Sequence, residues 1–95
     1  MIEYKITFTK GGYLQTAKMS GYGVESMMLI IIKENYKEIL SAGFEISKND
    51  RPINPQHLIA CFPSLYRPVK GSYPCIWELK TRPQWSKVKE DLDLL

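Results

Sequence analysis

Three features of the sequence predict an α+β fold. An alternating apolar–polar run opens the chain, a glycine pair reverses it, and one long apolar stretch follows with helix signals at both ends. The strand-like segments come both before and after that stretch, with no regular β-α-β alternation, so an antiparallel sheet is expected rather than a parallel one. The expected architecture is an antiparallel sheet of about four strands packed on one long central helix, 24–42. A short helix at 55–62 and a C-terminal helix at 83–93 complete one domain over residues 1–95.

Ile2, Tyr4, Ile6 and Phe8 alternate with Glu3, Lys5, Thr7 and Thr9, the pattern of a strand covered on one side. Gly11-Gly12 suits a tight turn, and Tyr13–Met19 returns as the second strand. Ser20-Gly21-Tyr22-Gly23 leads into the helix. Val24, Met28, Ile31, Ile32, Ile39 and Ala42 share one broad face of it, interrupted by Asn35, and Gly43 suits its C-terminal cap. The unbroken run Met27–Ile32 also fits a buried strand; helix caps and a length of ~20 residues favour the helix. Such a run needs cover on more than one side, from the C-terminal segment or from a second copy of the chain. Leu29, Ile30, Tyr36 and Leu40 are the positions left over for that contact.

Phe44–Ser47 predicts a third strand and Asn49–Pro52 a turn. Asn54-Pro55 is an N-cap followed by proline at the first helical position, which starts the short helix. Pro63–Pro74, with three prolines and Gly71, is expected to be an extended loop. Cys75–Lys80 then forms the fourth strand with Cys75, Trp77 and Leu79 on one face. Trp85, Val88, Leu92 and Leu95 make the apolar stripe of the last helix.

Composition narrows the class. The 44% apolar content and 11 aromatic residues suffice for a core without disulfides or metal. Two cysteines are too few for a disulfide scaffold, and the longest apolar run, six residues, is far below the ~20 of a membrane span. A cytoplasmic protein with reduced thiols is expected, with no cofactor and no membrane partner. The net charge of +3 is unevenly spread: residues 1–47 sum to zero, residues 48–89 carry +6, and the last six residues hold three acids. A concentrated basic stretch attracts anionic partners, although a solvated lysine-rich surface is the favoured account because the total charge is small.

Four candidate sites follow. His57 and Cys61 lie four apart on the short helix, the spacing of a nucleophile and its base, and Cys75 would be a third metal ligand. One histidine and two cysteines fall short of a complete zinc site, so ordinary packing is favoured and neither a catalytic nor a metal site is assigned. Ser20–Gly23 precedes a helix N-terminus but lacks the spacing of a dinucleotide fingerprint or a phosphate loop, so a tight connection is favoured. Glu90, Asp91 and Asp93 form a carboxylate cluster, which near a terminus is usually solvated.

The fourth candidate is the mixture of rings and cations in the second half: Tyr66, Arg67, Lys70, Tyr73, Arg82, Lys87 and Lys89. Cations hold phosphates and rings stack on bases, so these residues mark a surface for nucleic acid or a protein partner. Trp77 and Trp85 are assigned to the core by their strand and helix positions. The expected function is thus a small non-enzymatic binding or regulatory module that is nucleic-acid-associated. The alternative is a protein-binding inhibitor or accessory factor, of antitoxin-like or mobile-element type, acting through apolar helix or loop surface. Nucleic-acid and protein partners stand near parity, with a homodimer through Leu29, Ile30 and Tyr36 as a further expectation.

Overall fold

The computed structural model describes residues 2–94. Strands β1 (Glu3–Lys10) and β2 (Tyr13–Ser20) form the expected hairpin. Gly11 and Gly12 both take positive φ, 60° and 81°, the pattern of a two-residue hairpin turn whose twist matches that of the strands. The helical stretch follows as α1 (Val24–Glu34) and α2 (Tyr36–Ala42), and then come β3 (Phe44–Lys48) and β4 (Arg51–Pro52). The second half contains α3 (Pro55–Cys61), β5 (Tyr66–Pro68), β6 (Trp77–Leu79) and α4 (Trp85–Asp93).

The α+β class and the four-stranded antiparallel sheet hold, in the order β2-β1-β3-β4. Tyr4, Ile6 and Phe8 of β1, Met19 of β2 and Ile46 of β3 are buried on the inner face. Lys5, Thr7, Thr9, Thr16 and Lys18 occupy the alternate positions, so the other face is polar and open. The membership of the sheet differs from expectation. Its fourth strand is Arg51–Pro52, assigned above to a turn, while Trp77–Leu79 pairs with Tyr66–Pro68 in a separate two-stranded sheet. The turn itself is real but shorter: Asn49 and Asp50 take positive φ between Lys48 and Arg51. Asn and Asp tolerate that region better than other side-chain-bearing residues. Asn49 also accepts the Glu3 N–H through Oδ1 and donates its own N–H to the Glu3 carbonyl, tying the turn to β1.

The single helix 24–42 is two helices. Asn35 breaks it, with φ −111° and ψ 19°. Its Nδ2 donates to the Ile31 carbonyl at 2.8 Å, a side-chain bond that competes with the regular helical ladder, while Oδ1 accepts from Lys10 Nζ at 3.2 Å. The break lets the two pieces meet different neighbours: α1 contacts α4 and β2, and α2 contacts β1. Val24, Met28 and Ile32, one residue per turn, are buried along α1, and Tyr36 and Ile39 along α2. Ala42, expected on the same face, is exposed at the end.

The second half supplies the other cover. Leu58, Phe62 and Leu65 are buried, and the Phe62 ring meets that of Phe44 at 6.4 Å. Asn54 caps α3 as expected, accepting from the Gln56 N–H at 2.9 Å, and Val88 and Leu92 bury the inner stripe of α4. That helix begins at Trp85, two residues later than expected, and Leu95 lies outside the described residues. Among the described residues, no helix is long and apolar enough to cross a membrane.

Tyr36 was expected on a partner surface and is instead a clamp. It is 8% exposed, its hydroxyl donates to the Lys80 carbonyl, and its ring meets Trp85 edge-on at 5.0 Å. One side chain thereby joins α2, the end of the β5–β6 hairpin and α4. Burial, with a smaller contribution from the neighbouring Tyr66, pushes its phenol up to about 12 from 10.0.

Two stability predictions follow from this packing. Ile32→Ala, at a position with no exposure, should cost ~2–5 kcal/mol in urea titration, whereas Ile30→Ala should cost under ~0.5 kcal/mol because Ile30 is 53% exposed. The uninterrupted apolar run thus divides into core and surface, and equal losses at the two sites would contradict this. The second concerns pH. The folded state holds the Tyr36 phenol neutral above the pH at which the unfolded chain ionises it, so its contribution is complete below pH 10.0 and falls as pH rises toward about 12. Tyr36→Phe should flatten that alkaline decline and cost ~1 kcal/mol at neutral pH through loss of the hydrogen bond. Stability curves of the two proteins running parallel above pH 10.0 would refute the assignment.

Candidate nucleic-acid interface

The ring-and-cation segment folds as a hairpin rather than as a loose loop. Pro63–Pro74 was expected to be extended and irregular, yet it contributes β5. The Lys80 N–H donates to the Leu65 carbonyl and the Val69 N–H donates to the Ile76 carbonyl, at 2.7 Å each. These bonds close the hairpin at its base and below its tip. Ser72 organises the tip itself: its hydroxyl donates to the Val69 carbonyl at 2.7 Å and accepts the Ile76 N–H at 2.9 Å. Gly71 beside it has φ 80°, a conformation side-chain-bearing residues rarely take, and the Tyr73-Pro74 peptide is cis.

Trp77, expected in the core, is exposed, and so is Cys75, expected on the same strand face. The strand expected over Cys75–Lys80 is confined to Trp77–Leu79, so Cys75 lies outside it, and no layer covers Trp77. Trp77 is 45% exposed, Tyr73 is fully exposed, and Ile76 and Pro74 are exposed beside them. The tip therefore presents two rings and an isoleucine to solvent. Nearer the base, Leu79 and Tyr66 are partly buried against the core.

The base is cationic. Arg67, Lys80, Thr81 and Arg82 line a shallow concavity of about 380 Å³. Arg67 stands directly across from Glu78, with Nε 2.8 Å from Oε1, so part of its charge is neutralised within the hairpin. Lys80 and Arg82 carry the remaining positive charge of the concavity, and the Thr81 hydroxyl adds a neutral donor. A phosphate or carboxylate fits such a donor set without a helix N-terminus or a metal.

The other expected site residues divide. Lys70 lies on the tip side of the hairpin and is exposed. Tyr66 is half-buried and burial raises its phenol, so its ring belongs to the hairpin base and not to a free surface. Lys87 and Lys89 are exposed on opposite sides of the buried position Val88, about 160° apart around α4, and do not form one patch. Of the expected apolar partner surface, Leu29 is partly buried against the core, Tyr36 is buried, and Ile30 remains exposed.

His57 is exposed on α3. Cys61 is half-buried and borders a hollow formed with Ala60, Pro63, Asp91 and Leu94, whose walls do not include His57. Asp91 is occupied structurally, accepting the Ser64 N–H at 3.0 Å through Oδ2. No group of three or more potential metal ligands occurs among the described residues. At Ser20–Gly23 both glycines take positive φ and Tyr22 is fully exposed, while α1 has no side-chain N-cap. The geometry there is that of a connection.

Two contributors escaped the sequence analysis. Ser72 gave no signal because its role depends on the hairpin closing around it. Lys80 was visible as a cation in the aromatic segment, but its place beside Arg82 needed the strand end to be located. No protein-family model matches the chain, and no curated protein and no solved structure shows significant similarity to it.

The tip has a direct test. Ser72→Ala removes an acceptor from Ile76 and a donor from Val69, so amide exchange at Ile76 should accelerate strongly while exchange in β1 stays unchanged. Uniform acceleration across both sheets would mean that the hairpin and the core open together.

Proposed function

We propose that this protein is a small binding module that takes up single-stranded nucleic acid on its β5–β6 hairpin. The observation that carries the proposal is the sorting of side chains along one projecting element. Exposed Tyr73 and Trp77 lie toward the tip, and Lys80 and Arg82 lie at the base. Along a strand, Trp77 to Lys80 spans about 10 Å with the two side chains on alternate faces, so a bound strand would wrap the hairpin edge to meet both ring and cation. Rings stack on unpaired bases with little sequence preference, and cations hold the backbone phosphates. A duplex, whose bases are already stacked, offers the rings no such surface.

A second reading rests on the apolar part of the same tip. Pro74 and Ile76 flank the exposed rings and would seat in a hydrophobic pocket of a protein partner. This keeps the inhibitor or accessory-factor class in play through the hairpin tip instead of through the helix surface.

Fluorescence anisotropy with labelled oligo-dT and oligo-U separates the two. Tyr73→Ala should weaken binding by ~1–3 kcal/mol. Lys80→Glu with Arg82→Glu should weaken it further and reduce the slope of log K against log salt by about 1–2. Lys89→Glu, away from the hairpin, should change little. Binding that is insensitive to salt and to the paired reversal would refute the nucleic-acid proposal. Absence of oligonucleotide binding together with loss of a protein complex on Ile76→Asp would establish the second reading.

A further inference from the structure

The two edges of the main sheet are built differently. At one edge, β4 has two residues and ends in Pro52, which has no N–H to offer. Short strands and prolines are the means by which proteins blunt a sheet edge. At the other edge, β2 has eight residues, contains no proline and pairs with β1 in continuous register from Tyr13 to Ser20. Nothing lies beyond it in the sheet order, and it is exposed over most of its length.

The register fixes which backbone groups are free. In a two-residue hairpin the residues flanking the turn, Lys10 and Tyr13, exchange hydrogen bonds, and the alternation continues through Gln15, Ala17 and Met19. The Asn49 N–H bond to the Glu3 carbonyl agrees, since it shows odd-numbered β1 residues turned toward β3. The N–H and C=O groups of Leu14, Thr16, Lys18 and Ser20 therefore point outward from the edge.

We infer that β2 is an interface between two copies of this chain, joined antiparallel about a two-fold axis at Thr16. The sequence of the strand is complementary to itself in that register. Thr16 faces Thr16 of the second copy, and Leu14 and Lys18 face each other reciprocally, giving about six backbone hydrogen bonds. No like charges stand opposite each other. The aliphatic stem of each Lys18 covers a Leu14 that is 72% exposed in the single chain. On the inner face, Tyr13, 74% exposed, comes beside Met19 of the other copy, extending the core across the junction. The product is one continuous eight-stranded sheet with the blunted β4 strands at its two ends.

Sedimentation equilibrium tests this. The native chain should sediment at twice 11.0 kDa at sub-millimolar concentration. Thr16→Pro removes an outward N–H while leaving the β1 pairing intact, and it should yield the single-chain mass with an unchanged circular dichroism spectrum. Should that variant fail to fold, Thr16→Lys places like charges opposite each other at the axis and should produce the same halving of mass. Thr16→Val keeps the backbone donor and should remain paired. A native chain of single mass, or a folded Thr16→Pro or Thr16→Lys variant that keeps the double mass, would overturn the inference. Loss of the double mass on Ile30→Asp but not on Thr16→Lys would assign the interface to the helix surface instead.

Discussion

The constraint on which the rest of the structure depends is the need to bury the helical stretch between Val24 and Ala42 from two directions. A sheet with one covered face can shield one side of a helix. Met28 and Ile32 have no exposure at all, and Leu29 and Ile31 are also packed against the core. Burying an isoleucine or methionine is worth ~1.5–3 kcal/mol, so leaving a full row of them in water would forfeit much of the stability of a domain this size. The second half of the chain meets that need. Leu58, Phe62, Leu65, Val88 and Leu92 form a second apolar layer, and α4 lies against α1.

Asn35 marks the division of the helical stretch within this arrangement. A straight helix of 19 residues would have to follow the sheet and the second layer along one axis. Dividing the stretch lets α1 answer to α4 and β2 while α2 answers to β1. The polar side chain that looks misplaced on the apolar face adds a second donor to the Ile31 carbonyl, which already accepts the Asn35 N–H, and accepts from Lys10 in the hairpin.

Much of the fold was legible because local signals were strong and agreed with the tertiary outcome. The β1–β2 hairpin has alternation, a glycine pair and matched strand lengths. The α3 start has both Asn54 and Pro55, and the α4 stripe is buried at Val88 and Leu92 as its spacing requires. The failures share a different cause. Trp77 alternates as a core strand residue should, but alternation reports which residues share a face and says nothing of whether another layer covers that face. Arg51–Pro52 is too short for any periodicity to register. Tyr36 continues the four-residue row of Val24, Met28 and Ile32, and its contact with the Lys80 carbonyl and Trp85 depends on where the second half folds. The candidate binding residues were legible as a composition, rings among cations, and not as a constellation. Arg67 and Arg82 meet at one concavity, whereas Lys87 and Lys89 are separated by the curvature of their helix.

The hairpin that carries the proposed function is anchored at one end only, and the physics of small sheets explains why this matters. Two strands alone are marginal in water. Here the base is held by the Leu65–Lys80 bond and by Tyr36, which reaches the Lys80 carbonyl from the helix layer. The tip is held only by its own bonds, through Val69, Ser72 and Ile76. Free energy put into the base is shared with the core, whereas changes at Tyr73, Pro74 or Ile76 meet no buried neighbour. The cations at Lys80 and Arg82 therefore belong to the rigid part, positioned by the core, and the rings to the adjustable part. On the proposed reading, such a surface would fix where an anionic backbone enters and leave the rings to settle on the bases that follow.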